Sequence, residues 1–387
     1  MTEPDYFESK RFPTTDGEIA VINLESARQR SWSRFFFDPL RNGLAEIVVE
    51  HEQLTAQFVG DVSALDRLQF LSGQLAETNK PTARTLLVQA QIASMGHRFA
   101  EARDFIAQAE LAEAPPADMN RLRLNIDQAC GVELDRVLDQ RRDLANKSGR
   151  TEDFVALGAL LADMRDFAGA DRTYKEALTI YQDVSPFPVA WVCFQLGVLW
   201  GELVRDPQAN RAMLWYQKAV DCLPGYTKAR VHLAELHSSA GRMSDAEALL
   251  TPAVSSGDPE VHWRLADVMS CKGRFADAEV LMRAARLGFE SLLGRHLLAF
   301  ADHGAEFYAG SGNDSCRALD LAYINFANRP TRRAFEQAHA IAVRAGNVDA
   351  AATLQVEATQ RWSADAVFHS SALKGRSETL EKGEIAS

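Results

Sequence analysis

The chain is poor in everything that would tie it to a disulfide framework, a membrane or a nucleic acid. Only five of its 387 residues are cysteine (Cys130, Cys193, Cys222, Cys271, Cys316). They are odd in number and widely scattered, and no CxxC pair occurs, which is the usage of a reducing compartment. Proline and glycine, at 13 and 23 residues, are too few for a collagen-like or low-complexity chain. There is no basic excess: 42 Lys and Arg stand against 53 Asp and Glu, a net charge of −11. That balance excludes a surface built mainly to grip a nucleic-acid backbone or an anionic membrane. The longest apolar stretch, Val189 to Val204, is broken by Gln195 and Glu202 and is shorter than the ~20 residues of a membrane span. The start, Met1-Thr2-Glu3-Pro4-Asp5, is acidic and lacks the apolar region of a secretory signal. The expected location is cytoplasmic. What the chain does have is 47% apolar residues, ample for a large core.

Chemistry-bearing motifs are missing as well. There is no GxxxxGK[ST] loop, no GxGxxG after a strand and no GxSxG elbow. The glycine-rich turn Gly310–Gly312 has neither a lysine nor a strand beside it. Among nine histidines, His232 and His237 are five apart and fall on different helix faces. His232 and Glu235 share a face, but in the reverse of the Glu-x-x-His order of metal-binding helices and without a second pair. His296 and His303 lack flanking carboxylates in HExxH order. Paired acids such as Asp135/Asp139 and Glu152/Asp153 read as solvated helix faces. The chain is therefore expected not to be an enzyme, with no catalytic residue, cofactor or metal.

A phrase recurs. Gly241-Arg242-Met243-Ser244-Asp245-Ala246 returns as Gly273-Arg274-Phe275-Ala276-Asp277-Ala278. Arg98–Ala102, Asp166–Ala170 and Gly346–Ala351 are variants. Each final alanine is followed seven residues later by a second small residue: Ala102/Ala109, Ala170/Ala177, Ala246/Ala253, Ala278/Ala285 and Ala351/Ala358, with Ala212/Ala219 alike. Seven residues is two helical turns, so each pair shares one face. The first members are spaced near 34 residues, the period of a helix-turn-helix repeat. Upstream, Leu157-Gly158, Leu196-Gly197, Leu233-Ala234 and Leu265-Ala266 each set a small residue where a partner helix can approach. Pro224 and Pro330 follow second helices, and Pro259 precedes a first helix, where proline is tolerated.

On these residues the chain resembles the tetratricopeptide repeat family from about Pro81 to Trp362. The strongest segments are Thr151–Gln182, Thr227–Asp258 and Pro259–Gly288. The resemblance implies an all-α superhelical solenoid of about seven or eight antiparallel helix-turn-helix repeats over residues 40–362. Arg136 stands where one copy needs its small alanine, and Asn325 replaces the second small residue after Ala318. The two longer spacings, 42 and 40 residues, place extra residues near 184–188, in the turn 204–208 and in the turn 309–315. Residues 1–39 read as an N-terminal capping segment, since a solenoid needs its end faces covered. Within it, Gly17–Leu24 is β-branched and looks extended, and Trp32, Phe35, Phe36 and Phe37 form an aromatic knot. Residues 363–387 read as a polar tail, partly disordered.

In proteins of this family the first helix of each hairpin lines a concave groove. Carried over position by position, that face holds Trp191, Phe194 and Gln195 from one copy, Lys228, His232 and Glu235 from the next, and Trp263, Arg264 and Asp267 from the third. Trp and Arg are the types most enriched at binding hot spots. A carboxylate clamp does not match, because Lys228 and Arg264 lack asparagine partners and Glu235 and Asp267 lie nearby. The expected function is a protein-interaction adaptor, assembly factor or dedicated chaperone. Its partner is a protein or peptide segment, not a nucleic acid or a membrane, and self-association is a further option. The rival is an enzyme or a small-molecule- or peptide-sensing regulator, its site built by the groove and the N-terminal segment.

Overall fold

In a computed structural model the described residues, 12–39, 41–77 and 81–362, form eighteen α-helices and no strand. In chain order they are α1 (Gly17–Phe37), α2 (Leu44–Leu54), α3 (Ala64–Ala76), α4 (Ala83–Met95), α5 (Phe99–Leu111) and α6 (Pro116–Ala129). Then come α7 (Leu134–Ser148), α8 (Thr151–Asp163), α9 (Phe167–Ile180), α10 (Pro186–Val198), α11 (Ala209–Cys222) and α12 (Thr227–Ser239). The last six are α13 (Met243–Leu250), α14 (Pro259–Cys271), α15 (Phe275–Ala309), α16 (Ser315–Asn328), α17 (Arg332–Arg344) and α18 (Val348–Trp362). Two first helices end in a π turn, Thr55–Val59 after α2 and Leu199–Leu203 after α10. The chain divides into two compact units. Unit 1 is Met1–Gln128, Val132–Leu233 and Ala253–Asp258; unit 2 is Ala129–Gly131, Ala234–Pro252 and Pro259–Ser387.

The alanine pairs are the spine of the repeat. Ala102, Ala109, Ala170, Ala177, Ala212, Ala219 and Ala246 all have 0% exposure. The turns before several second helices hold a left-handed residue, which explains the glycine of the recurring phrase: φ is +77° at Gly241 and +74° at Gly273. Opposite the alanine stripe, the small residue of the first helix is matched in size to its partner. A Cβ on Gly158 would sit 2.8 Å from the Tyr174 ring, and one on Gly197 2.5 Å from the Tyr216 ring. Where the first helix carries buried Ala90, Ala234 or Ala266, the matching position of the second helix is Ile106, Leu250 or Met282. Glycine thus goes with tyrosine, and alanine with an aliphatic side chain. The total volume is kept, as close packing requires.

Three expectations from the sequence need correcting. Gly17–Leu24 is not extended but the first part of a helix. Asp16 caps it, its carboxylate accepting from the backbone N–H of Glu18 and Ile19 at 2.9 and 3.0 Å. Leu24, Ser31, Trp32 and Phe35 form its buried face, a helical spacing that overrides the β-branched run. Trp32 and Phe35 pack with Val48, Val49, Leu68, Leu71 and Leu75 from α2 and α3. Glu52, fully buried there, accepts from Trp32 Nε1 at 2.6 Å, Arg67 Nη2 at 2.7 Å and Arg28 Nη1 at 3.3 Å. The segment is also tied to the middle of unit 1. Thr15 donates its N–H to Val184 O at 2.7 Å, and a Cβ on Gly17 would lie 2.5 Å from Cys222 O. Phe58 packs at an angle against Phe187 and edge-on to Tyr226, and Thr227 Oγ1 donates to Val59 O at 2.7 Å.

The second correction concerns the 40-residue spacing. Its extra residues lie mainly in α15, which runs from Phe275 to Ala309 and breaks only at His296 (φ −135°, ψ 49°). The arm up to the break is a lengthened second helix, and the arm beyond it is the first helix of the next pair. The turn after Ala309 takes only a small part. The third correction is at Arg136. It points out to Glu133 and Asp127 at 2.6 and 2.7 Å, while Val137, one residue on, is fully buried with Leu124 and Leu160. The copy is shifted in register there. Asn325, in place of a small residue, is buried and held by Gln337 and Arg329 at 3.2 and 3.1 Å. The tail assigned to residues 363–387 lies outside the described residues.

Candidate protein-interaction surface

In unit 2 the first-helix faces converge on Arg264. Its Nη2 lies 2.5 Å from Glu235 Oε1 of α12, 3.4 Å from Glu260 Oε1 one turn earlier on α14, and 3.7 Å from Glu306 Oε1 on the second arm of α15. The guanidinium carbon lies 3.5 Å from the centroid of the Trp263 ring, a cation–π contact that fixes the side chain. His303 Nδ1 lies 3.7 Å from Glu260 Oε2. Beside this node Asp267 accepts from Ser311 Oγ at 2.7 Å. Burial pushes the Asp267 carboxyl above its ordinary range, and the charge on Glu235 adds to the shift; Ser311 and Arg264 oppose it. Three carboxylates therefore share one guanidinium, with Asp267 beside them. Repeat geometry supplies them: Glu235, Asp267 and Glu306 each follow a buried alanine (Ala234, Ala266, Ala305) on successive first helices.

Unit 1 has its own polar cluster. The π turn after α10 swings Glu202 back toward the repeat, where it takes the Tyr216 hydroxyl at 3.0 Å and His232 Nδ1 at 2.7 Å. The His232 ring stands edge-on to Phe194, 5.2 Å between centroids. A neighbouring set joins Trp200 Nε1 and Lys175 Nζ to Asp171 at 2.8 and 2.7 Å, with Arg211 lying 3.7 Å over the Trp200 ring.

The residues assigned from the sequence have different fates. Glu235, Arg264 and Asp267 come together as described, and His232 joins Phe194 and Glu202 in unit 1. Trp191, Gln195 and Lys228 are partly exposed. Trp263 is not a solvent-facing anchor: it is 3% exposed and packs edge-on against Phe307 at 5.5 Å, with Phe289 at 6.4 Å. Phe194 is likewise buried. Both serve the core between helices, where large aromatic area is best removed from water. Glu306, Ser311, Glu202 and Tyr216 had not been singled out as site residues, and His303 had been weighed only as a metal ligand beside His296. The small-residue-then-acid step at Ala234-Glu235 and Ala266-Asp267 was the available signal for Glu306, but the lengthened α15 displaces it from the expected register. Among the described residues no three His, Cys, Asp or Glu side chains come together to hold a metal ion, and no helix is long and apolar enough to cross a membrane.

The fold defines an all-α protein of tetratricopeptide-type helical hairpins. No family model matches the chain, and no curated protein matches it in sequence. Solved structures resemble it weakly. MamA is 16% identical over 43% of this chain and 95% of its own, with a TM-score of 0.36. A chain of the APC/C hetero-tetramer Cut9-Hcn1 is 14% identical over 90% of this chain and 66% of that one, at 0.45. Yeast Tom70 is 15% identical over 93% and 95%, at 0.36. The repeat assignment rests on the hairpins themselves.

Proposed function

We propose that the protein is a non-catalytic, cytoplasmic adaptor that docks a segment of another protein on the first-helix face of unit 2. The observation that carries this reading is the row of carboxylates, Glu235, Asp267 and Glu306, that one repeat position brings beside Arg264 from successive first helices. Such a row suits an extended or helical segment bearing Lys or Arg, whose ammonium or guanidinium groups meet Asp267 and Glu306. The Arg264–Trp263 stack keeps the node in one geometry, so little side-chain entropy is lost on docking. Assembly factor and dedicated chaperone are narrower versions of the same binding role. The test is selection of a displayed random peptide library on the full chain. Selected peptides should be enriched in basic residues and should lose at least ~tenfold in affinity, ~1.4 kcal/mol, to a Glu235→Gln/Glu306→Gln variant with an unchanged melting profile. Peptides without that enrichment, or indifferent to the variant, would overturn the assignment.

A further inference from the structure

Unit 1 carries a surface of the opposite sign. On α1, Ser26, Gln29, Arg30, Ser33 and Arg34 recur at three- and four-residue spacing, which places them on one face. They form an open polar face of the helix. A hollow of about 160 Å³ adjoins it in the groove between α1 and α2 and is lined by Arg30 and Arg34, with Ala27, Leu44, Ile47 and His51. The neighbouring polar groups are already engaged. Arg28 pairs with Glu25 and Glu52 at 2.8 and 3.3 Å, Gln29 donates to Glu25 at 2.7 Å, and Ser31 Oγ lies 3.0 Å from His51 Nδ1. Arg30 and Arg34 differ. Both are exposed, and neither makes an ion pair among the described residues. Burial holds the His51 imidazole below its usual range, and the charge on Arg30 acts in the same direction.

Two guanidinium groups without an ion pair among the described residues, on a chain of net charge −11, mark a place for anionic groups. Their spacing and surroundings narrow the class. One helical turn separates them, ~6 Å along the axis. That matches two carboxylates four apart on a helix or two apart on an extended segment, ~6.8 Å. The floor is apolar: Leu44 is buried and Ile47 is 40% exposed. Beyond the end of the stripe Phe36 and Phe37 are 58% and 92% exposed, and Phe36 meets Phe70 at 6.2 Å between centroids. A nucleic-acid backbone would need many more cations than two and would leave this apolar surface unused. We propose that the α1–α2 groove docks an acidic segment of a partner protein: two of its carboxylates engage Arg30 and Arg34, and an adjacent apolar side chain enters the hollow over Leu44 and Ile47. This is a second interface, independent of the acidic face of unit 2.

The test uses the full chain and a short fluorescein-labelled peptide alternating Glu and Leu, with its Lys-for-Glu counterpart, oligothymidylate and phosphatidylserine vesicles as competitors. The acidic peptide should bind at least ~tenfold tighter than the lysine peptide. It should lose at least ~tenfold to Arg30→Glu/Arg34→Glu and to Ile47→Asp, and weaken as salt rises from about 0.05 to about 0.3 M. Glu235→Gln/Glu306→Gln should leave it unchanged, which separates this interface from the unit 2 reading. Equal affinity for the lysine peptide, or binding indifferent to the arginine reversals, would overturn the proposal. So would tighter binding of oligothymidylate or vesicles through the same arginines. Both arginines are exposed and make no ion pair among the described residues, so the reversed variant should melt as the parent does; should it fail to fold, Arg30→Gln/Arg34→Gln reads the same loss.

Discussion

Adding one methyl group to a helix should have opposite effects at three glycines of this chain. At Gly73, inside α3, a new Cβ would meet nothing within 4 Å. Gly73→Ala should therefore show only the gain in helix propensity and unfolded-state entropy, ~0.5–1 kcal/mol. At Gly158 the same Cβ falls 2.8 Å from Tyr174 Cδ1 and Cε1, and at Gly197 2.5 Å from Tyr216 Cδ1 and Cε1. Carbon pairs rest at about 3.5–4.0 Å, so each ring must retreat by roughly 0.7–1 Å. Neither has room, since Tyr174 and Tyr216 are each 1% exposed. Overpacking of this kind costs ~1–3 kcal/mol. Against the propensity gain, the net loss is ~0.5–2 kcal/mol, larger at Gly197. The second half of the argument is rescue. Gly158→Ala/Tyr174→Leu recreates the alanine–leucine pairing of Ala234 and Leu250, so the double variant should be more stable than the sum of the single effects by at least ~1 kcal/mol. Chemical unfolding gives the total. Hydrogen exchange of the α8 and α9 amides localises it, because repeat arrays open locally. A Gly158→Ala protein as stable as Gly73→Ala, or a cycle with no coupling, would refute the size-matching account.

Removing the buried carboxylate of Glu52 strands Trp32, Arg28 and Arg67 around it, so Glu52→Ala should destabilise by ~3–5 kcal/mol, read as a lower unfolding midpoint; a change under ~1 kcal/mol would contradict its structural role. Thr227→Val keeps the shape but leaves Val59 O without its donor, for ~1–3 kcal/mol and faster exchange in the π turn that ends α2; unchanged exchange there would mean this bond does not tie α2 to α12. The Asp267 carboxyl titrates above its unfolded value because of burial. The folded state therefore binds more protons than the unfolded one between the two values, and stability from this group falls as pH rises through the folded pKa. Asp267→Asn should therefore stabilise the protein at neutral pH, with the advantage disappearing on acidification below the ordinary carboxylate range. A pH-independent difference in melting temperature would contradict this.

The repeat was legible in the sequence because its causes are local. Alanine pairs seven residues apart share a helix face wherever they occur, and a glycine before the second helix meets a turn that requires positive φ. Where these features occur they fold alike, so counting spacings located most of the helices, the small-residue contacts and the acidic positions at Glu235 and Asp267. Other features depend on residues distant in sequence. Gly17–Leu24 has the residue types of a strand, yet Asp16 caps it and α2 buries its Leu24–Trp32–Phe35 face. Trp263 looked like an anchor because its helix face was right, but the packing of Phe289 and Phe307 decides that its ring is core. Glu306 and Ser311 reach Arg264 and Asp267 only because α15 absorbs the irregular spacing and breaks at His296. Arg30 and Arg34 make no ion pair among the described residues, while Glu25 and Glu52 are drawn to Arg28 and Arg67 across three helices. Periodicity reports which side chains share a face; only the tertiary structure decides what that face meets.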